Sequence, residues 1–414
     1  MSPRYLGGNM ADVRGHNRAA VLCCLQEQGA LSRKGLSRAL GLTPAAMTKI
    51  TAELLEEGLL RESPAPALGV GRREVLLRLD PHGRCALGVM LGLGRAILSG
   101  VWLDGAVIFS ETVPLPLRAP AEATVKTISR RLLALAEENR LERSKTLGLG
   151  IAVRGTVAAD GRGARSTFDA LDEGDFPLCD RFEAYTGLPA LLSNNVRALF
   201  AAELFLDRER RLDSQFFLRC GSGIGGAFAL HGRIWEGEGR QCAEIGHIPV
   251  VRRGGKPCHC GKCGCLETVA SPEAILTEAL LRLSPEKTPL LWQAARGKGK
   301  ENLTLTDVLD AARGADAGAA ALVDRGIEYL AGALKSVIYL FDPGKIVLYG
   351  KVFDHPYFLS RLRAEMDLGV DGSHRVPLQR SPFNGTLEPK APGLLVAAAF
   401  LQNGGGPESA QKGL

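Results

Sequence analysis

The sequence has no apolar run long enough to cross a membrane. Its longest runs, Ala86–Leu93 and Leu394–Leu401, are far shorter than the roughly 20 apolar residues of a membrane-spanning helix. The opening MSPRYLGGNM also lacks the apolar core of a signal peptide. Hydrophobic residues make up 45% of the chain and charged residues 23%, as in ordinary globular proteins. We therefore expect a cytoplasmic protein without membrane insertion, and its 414 residues predict two or three domains.

A large net charge is also absent, but the charge is unevenly placed. The whole chain carries a formal +6, and Met1–Asp80 alone has 11 Lys and Arg against 8 Asp and Glu. Half of the excess therefore lies in about a fifth of the chain. Between Glu27 and Glu53 every charged residue is basic, namely Arg33, Lys34, Arg38 and Lys49. This pattern favours a phosphate-contacting surface, although a solvated helix face would look similar.

Three short helices are predicted in this basic N-terminal segment. The first covers residues 17–28, and the second follows the cap Ser32 and ends at the turn Gly41–Leu42. Thr43 is a good N-cap and Pro44 a good first residue for the third helix. The apolar face of the third helix is formed by Met47, Ile50 and Leu54. This spacing is typical of a helix-turn-helix.

Two strands are predicted after the third helix, over Leu59–Arg61 and Val75–Leu79. They are joined by ESPAPALGVGRRE, a Pro- and Gly-rich hairpin tip that carries Arg72 and Arg73. Together with the helices they resemble a winged helix-turn-helix DNA-binding domain over Asn17–Leu79, with the third helix placed to enter a major groove. The alternative is a three-helix packing module.

The exposed face of the third helix is predicted to contact base edges, because the apolar residues occupy its other face. Ala45, Thr48 and Ala52 are small enough for close approach, and Lys49 would reach a guanine or a phosphate. The arginines at the hairpin tip suit a phosphate or the minor groove. The predicted DNA-binding residues are Arg33, Lys34, Ala45, Thr48, Lys49, Arg72 and Arg73.

A second domain is predicted to begin after Asp80, so that residues 1–80 form the DNA-binding domain and residues 81–414 bind the effector. Strands and helices alternate there: a meander, a helix at 121–139 and a strand at 147–153. The same order recurs with strands at 216–220, 225–230 and 345–348. Two such halves would place a ligand between them.

Four cysteines are crowded into GKPCHCGKCGCLET: Cys258, Cys260, Cys263 and Cys265. In a reducing cytosol such clustered thiols indicate metal binding rather than disulfides. Zinc prefers four tetrahedral nitrogen and sulfur ligands in a structural site, and Gly261 and Gly264 permit the tight turns that such a loop needs.

Three motifs resemble the ROK family of repressors, open reading frames and sugar kinases: Gly221–Gly226, Glu244–His247 and Cys258–Glu267. The resemblance covers roughly Cys85–Gln402. The preceding winged helix matches the repressor branch, similar to xylose and N-acetylglucosamine repressors. The resemblance to the ROK family implies an α/β fold class: a winged helix-turn-helix followed by an actin-like, two-lobed sugar-binding domain.

The resemblance also implies a Zn²⁺ site in a zinc loop over residues 247–265, with ligands His247, Cys258, Cys260 and Cys265. An all-thiolate set in which Cys263 replaces His247 is the alternative, and His259 is expected to face solvent. Zinc would orient the ring of His247 for a sugar contact. The implied sugar-binding residues are Asn194, Asn195, Glu244, His247 and Glu267.

Two motifs of the family's kinases, the phosphate loop and the pair that contains the catalytic base, are not intact. Met90–Arg95 replaces the Asp-x-Gly-Gly-Thr phosphate loop, and Asn195 stands where the kinases have their catalytic aspartate. An amide cannot act as a base near neutral pH, which forfeits a factor of about 10²–10⁴ in rate. The turn at Tyr349–Lys351 is also poorer in glycine than the family's. We therefore expect no enzyme, and a sugar kinase with a degenerate ATP site is the alternative.

These observations predict a sugar-responsive DNA-binding transcriptional regulator, most simply a repressor of carbohydrate metabolism. The expected partners are operator DNA, a sugar or sugar-phosphate effector, and a second copy in a homodimer or a higher homo-oligomer. Arg154 and Arg197 would suit a phosphorylated sugar, or would pair with neighbouring acids. A repressor whose effector is a protein partner is a further alternative.

Overall fold

The structure is a computed structural model that describes residues 10–64, 74–167, 170–172, 175–207, 213–368 and 375–406. The chain forms two compact units: Met1–Arg210 together with Leu387–Leu414, and Arg211–Thr386. The first unit therefore contains both the N-terminal segment and the last helix. Within the described residues, no helix is both long and apolar enough to span a bilayer. The boundary predicted after residue 80 is a different division and stays a prediction.

The N-terminal head consists of three helices and a small antiparallel sheet. Its elements are α1 (Met10–Gln28), β1 (Leu31–Ser32), α2 (Arg33–Leu40), α3 (Pro44–Glu56), β2 (Leu60–Pro64) and β3 (Val75–Leu79), with strand order β1-β3-β2. The two predicted caps are present: Ser32 accepts from the Gly35 amide at 3.1 Å, and Thr43 accepts from the Ala46 amide at 3.3 Å. The first helix begins at Met10 rather than Asn17. β1 was not predicted, since only two residues form it.

The first unit continues with a mixed five-stranded sheet. Its elements are β4 (Cys85–Gly92), β5 (Arg95–Trp102), β6 (Val107–Pro114), α4 (Ala121–Glu138), β7 (Thr146–Val153), β8 (Thr156–Val157), β9 (Ala164–Ser166), α5 (Leu178–Thr186), β10 (Ala190–Asn194) and α6 (Asn195–Leu206). The strand order is β10-β7-β4-β5-β6, while β8 and β9 pair separately. β4 pairs antiparallel with β5 and parallel with β7. A buried core lies between this sheet and α4 and α5.

The second unit repeats this pairing in another five-stranded sheet. Its elements are β11 (Ser214–Cys220), β12 (Ile224–Leu230), β13 (Arg233–Ile234), α7 (Glu267–Ala270), α8 (Pro272–Leu281), α9 (Pro289–Lys298), α10 (Leu305–Arg313), α11 (Ala317–Phe341), β14 (Lys345–Tyr349), α12 (Pro356–Asp367) and β15 (Leu378–Arg380). β11 pairs antiparallel with β12 and parallel with β14. The predicted recurrence of one unit is therefore present in the topology.

The last helix, α13 (Ala391–Gln402), returns to the first unit and packs against α6, β4 and β7. Its first turn lies directly on the sheet. A Cβ atom on Gly150 of β7 would sit 1.6 Å from the Pro392 carbonyl oxygen, so only glycine permits this approach.

Candidate functional site

The exposed face of α3 is the face that the sequence predicts for base contacts. Ala45, Thr48, Lys49 and Ala52 are all exposed. The opposite face is buried in the head and carries Met47, Ile50 and Leu54. Arg72 and Arg73 lie outside the described residues, so their contacts stay a prediction.

The two basic residues that open α2 differ in their surroundings. Lys34 is exposed. Arg33 is half-buried: its Nε donates to the Thr51 hydroxyl at 3.1 Å, and its guanidinium pairs with Glu62 at 2.9 Å. Arg33 therefore already has protein partners on α3 and β2, and its predicted DNA contact stays a prediction.

A buried arginine connects the head to the end of α13. Arg18 of α1 is only 8% exposed, and its Nε donates to the Gly404 carbonyl oxygen at 2.9 Å. The rest of its guanidinium forms two hydrogen bonds with the Glu57 carboxylate, at 2.8 and 2.6 Å. Glu57 is the C-cap residue of α3, the predicted recognition helix. Arg18 thus joins α1, α3 and the turn after α13.

A second contact ties the head to α6. The Gln26 side chain of α1 is buried and donates to the Phe205 carbonyl oxygen near the end of α6. Gly405, which follows α13, leaves no room for a side chain: a Cβ atom there would lie 2.9 Å from Leu22 and from Leu59. We call these contacts of Arg18 and Gln26 the head joint. The sequence offers no signal for the head joint, because the partners in each contact are far apart in the chain.

The zinc loop gathers four potential metal ligands in the second unit. His247 lies at the end of a short 3-10 helix, Ile245–His247. Its Nδ1 atom is 3.5 Å from the Cys258 sulfur, and the Cys260 and Cys265 sulfurs are 3.6 Å apart. Together the four ligand atoms lie within 4.8 Å of one another. This is the ligand set that the family resemblance implies.

These separations fit a tetrahedral zinc ion. With Zn–S near 2.3 Å and Zn–N near 2.0–2.1 Å, ligand atoms on a tetrahedron lie about 3.5–3.8 Å apart. Burial raises the pKa of the Cys258 and Cys265 thiols, so a cation is needed to hold them as thiolates. A second group of described residues that could hold a metal is His247, Cys258, His259 and Glu267. Cys263 is exposed and belongs to neither group.

The backbone of the zinc loop turns at the two glycines for which turns were predicted. Gly261 and Gly264 have φ of +85° and +73°. A Cβ atom on Gly264 would lie 2.1 Å from the Val251 carbonyl oxygen, so the close approach of these two segments needs glycine.

Glu267, the first residue of α7, lies beside the metal ligands. Its Oε1 atom is 3.0 Å from the Cys258 sulfur, 3.6 Å from His247 Nδ1 and 3.0 Å from His259 Nδ1. Burial alone would raise the pKa of Glu267, but hydrogen bonds from His259 and Cys258 outweigh it and leave the pKa below its ordinary value. His259 is exposed, as expected, but its ring also contacts this carboxylate.

The other predicted sugar residues are divided between the two units. Glu244 is half-buried and precedes the 3-10 helix of the second unit. Asn194 and Asn195 belong to the first unit, at the start of α6. The Asn194 side chain caps this helix by accepting from the Val196 amide at 2.8 Å, and it donates to the Gly155 carbonyl oxygen at 2.8 Å. Asn194 therefore has a structural role, which the sequence did not indicate.

The turn after β14 is closed by a side chain from the same unit. The Gly350 amide donates to the Asn384 side-chain oxygen at 2.8 Å, and the Asn384 amide donates to Asp354 at 2.8 Å. In the first unit, Met90 occupies its strand as a buried apolar residue. At this turn and at Met90, the sequence is predicted to depart from the kinases of the family that it resembles.

Two family models match separate parts of the chain. The ROK family model matches residues 87–382, and the MarR family model matches residues 16–67. The DNA-binding transcriptional dual regulator NagC of Escherichia coli (strain K12) is 28% identical over 352 residues, covering 83% of this chain and 82% of NagC. A glucokinase of Halalkalibacterium halodurans is 34% identical over 213 residues, covering 51% of this chain and 63% of that protein.

The fold has a close counterpart among solved structures. A ROK family transcriptional regulator, a homologue of the E. coli MLC protein, matches with a TM-score of 0.77 at 24% identity, covering 97% of this chain and 100% of the other. Because the ROK match spans well over half of the chain, the protein belongs to the ROK family. The predicted fold class is confirmed: a helix-turn-helix head is followed by an actin-like α/β domain.

Proposed function

We propose that this protein is a sugar-responsive DNA-binding transcriptional regulator, acting as a repressor of carbohydrate metabolism. The observation that carries the proposal is the presence on one chain of a helix-turn-helix head with an exposed α3 face and a ROK domain with its Cys/His cluster. The relatives support it, since NagC and a xylose repressor of Caldicellulosiruptor bescii carry regulator names. The protein acts in the cytoplasm, where its operator lies.

DNA recognition is assigned to α3 in a major groove. As a homodimer the protein would place two such helices about 34–36 Å apart on a palindromic site. An effector that favours one spacing of the heads by about 1–3 kcal/mol changes operator occupancy usefully. The contacts of Arg18 and Gln26 support such control. They attach the head to α6 and to the turn after α13, so the head is held by side-chain contacts as well as by the continuous chain.

The effector is assigned to the ROK domain, with Asn194, Asn195, Glu244, His247 and Glu267 as sugar ligands. Zinc held by the four-ligand set of the zinc loop would fix the orientation and tautomer of the His247 ring. His247 then offers its other ring nitrogen to a hydroxyl, and each carboxylate accepts hydroxyl protons, which suits a polyol. Arg154 extends the proposal to sugar phosphates, whereas Arg197 is buried, with 3% exposure.

Titration calorimetry of the full chain tests this assignment. The panel is glucose, mannose, xylose, N-acetylglucosamine and N-acetylglucosamine 6-phosphate. Binding of a panel member that also shifts affinity for a duplex selected by the wild-type protein would support the proposal. Silence across the panel would contradict a sugar effector and favour regulation by a protein partner.

The proposal includes the absence of kinase activity, and a ROK sugar kinase with a degenerate ATP site is the second candidate, favoured by the similarity to a glucokinase. Asn195 offers no base for the attacking hydroxyl. The Gly350 amide is bonded to Asn384, which supports the loss of a nucleotide site on that turn. A coupled assay with ATP and each unphosphorylated sugar of the panel should give no turnover above background. Sustained turnover that disappears in Asn195→Ala would overturn this part of the proposal.

A further inference from the structure

His259 stands between two predicted zinc ligands in the chain, yet its ring contacts a different partner. Its Nδ1 atom lies 3.0 Å from Glu267 Oε1, and its side chain is 30% exposed. The ring also meets the His247 ring edge-on, with centroids 5.2 Å apart and planes at 79°. His259 therefore touches both of the zinc-loop groups that are proposed to bind the sugar.

The Glu267 carboxylate is confined on its other side by the glycine-rich turn after β11. Its Oε2 atom lies 2.8 Å from the position that a Cβ atom on Gly223 would occupy. Gly223 thus leaves just enough room for the carboxylate, and His259 holds the opposite oxygen. With 11% of its side chain exposed, Glu267 has little freedom to find another orientation.

The charges around Glu267 favour a hydrogen-bond donor such as His259 beside its carboxylate. The Cys258 thiol donates to Glu267 at 3.0 Å, but Cys258 would have no proton to donate as one of three thiolates on a divalent ion, and those ligands would leave one net negative charge in the zinc loop. A second negative charge on the Glu267 carboxylate is repelled at this range unless a donor compensates it. A neutral imidazole that donates from Nδ1 is sufficient, so the arrangement needs no protonation of His259.

We propose that His259 is a positioning residue that holds the Glu267 carboxylate in the orientation in which it accepts sugar hydroxyls. This inference rests on the proposed function, because it deepens the sugar site without adding a second one. His259 is not a zinc ligand in this arrangement, and its loss leaves the four-ligand set intact.

The test compares His259→Ala with His259→Asn in the full chain. Removing a hydrogen bond to a charged group should weaken binding of the tightest-binding panel sugar by about ten- to a hundredfold in His259→Ala. An asparagine amide nitrogen can occupy the place of Nδ1, so His259→Asn should restore most of the affinity. Zinc content by metal analysis and the visible spectrum of the Co²⁺-substituted protein should match wild type in both variants.

Each other outcome would overturn the inference in a recognisable way. Unchanged sugar affinity in His259→Ala means that Glu267 needs no support. Loss of zinc in His259→Ala means that His259 acts through the metal rather than through Glu267. If wild type binds no panel sugar, the proposed effector class is wrong and the inference falls with it. Cys263→Ser is the loop control, and it should retain both zinc and sugar affinity.

Discussion

The head joint and the zinc loop are two polar clusters built in opposite ways. In the head joint, Arg18 bonds to Gly404, 386 positions away in the chain, and the cluster consists of hydrogen bonds between separate elements. In the zinc loop, His247 and three cysteines come from one segment, and their sulfur and nitrogen atoms are spaced as ligands of one ion. The head joint fixes helices against one another, whereas the zinc loop fixes side chains within one loop.

The difference separates two functions that a regulator needs. Damage to the zinc loop should affect the effector site without disturbing α3, because the head has its own buried residues and belongs to the other compact unit. Damage to the head joint should spare zinc and sugar binding but weaken the connection to DNA binding. Variants in each cluster therefore report on different steps.

The largest effect is expected from Cys260→Ser. A neutral hydroxyl is a poor substitute for a thiolate, so the variant should lose the proposed single zinc ion per chain. Structural zinc contributes on the order of 10–16 kcal/mol in isolated zinc-finger peptides, and less where a surrounding fold orders the loop. Operator affinity should be kept and the sugar response lost. Metal analysis and gel shifts with and without sugar measure both.

Cys263→Ser is the matched control for this prediction, since Cys263 is exposed in the same loop. It should retain zinc and the response to sugar. If this control alone strips the metal, the four-cysteine alternative is correct and His247 is a sugar ligand only.

An intermediate effect is expected from Arg18→Met. The substitution keeps the apolar stem but leaves the Gly404 carbonyl oxygen without its donor and Glu57 without its partner. Loss of such bonds from a buried arginine costs about 1–3 kcal/mol, which should lower the thermal stability of the first unit. Zinc content should not change, while the shift in operator affinity caused by sugar should shrink.

Arg14→Met is the control on the same helix. Arg14 pairs with Glu53 at 2.8 Å, but its side chain is 58% exposed. An exposed ion pair contributes only about 0–1 kcal/mol, so this variant should melt close to wild type. Equal destabilisation by both variants would contradict a special role for Arg18.

How much of each cluster the sequence predicts follows from the distance between its residues. The four clustered cysteines stand close together with two turn-forming glycines, so their spacing alone indicates a metal, and the resemblance adds His247 to the predicted ligand set. The helices and caps of the head are equally local. Arg18 and Gln26 were missed because their partners, Gly404 and Phe205, are defined only by the tertiary fold.

Other misses have specific causes. His259 and its neighbours in Cys-His-Cys offer no signal for which way the ring turns, and the contact with Glu267 depends on how the loop closes against α7. The sequence predicts Asn194 only as a sugar ligand, since its capping role depends on where α6 begins. The sequence predicts Arg33 as a phosphate contact and does not reveal its ion pair, because its partner Glu62 follows 29 positions later.

The smallest effects are expected on the DNA-binding face. Lys49→Ala removes an exposed charge from α3 and should weaken binding to the selected operator. If Lys49 contacts a phosphate, the slope of log affinity against log salt concentration should decrease in magnitude by about one. The same change is expected of Arg72→Ala. Gel shifts at several salt concentrations measure both, and unchanged affinity in both variants at low salt would contradict the winged helix-turn-helix assignment.

Arg33→Ala completes the comparison on this face. Because the Arg33 guanidinium already pairs with Glu62 and Thr51, removing it should change the salt dependence by less than Lys49→Ala does. The variant should instead weaken the contact of α2 with α3 and β2. Loss of a largely exposed ion pair should lower the free energy of unfolding by about 0–1 kcal/mol. A drop in salt dependence as large as that of Lys49→Ala would show that Arg33 leaves Glu62 to bind a phosphate. Arg33 would then be a DNA-binding residue, as the sequence predicts.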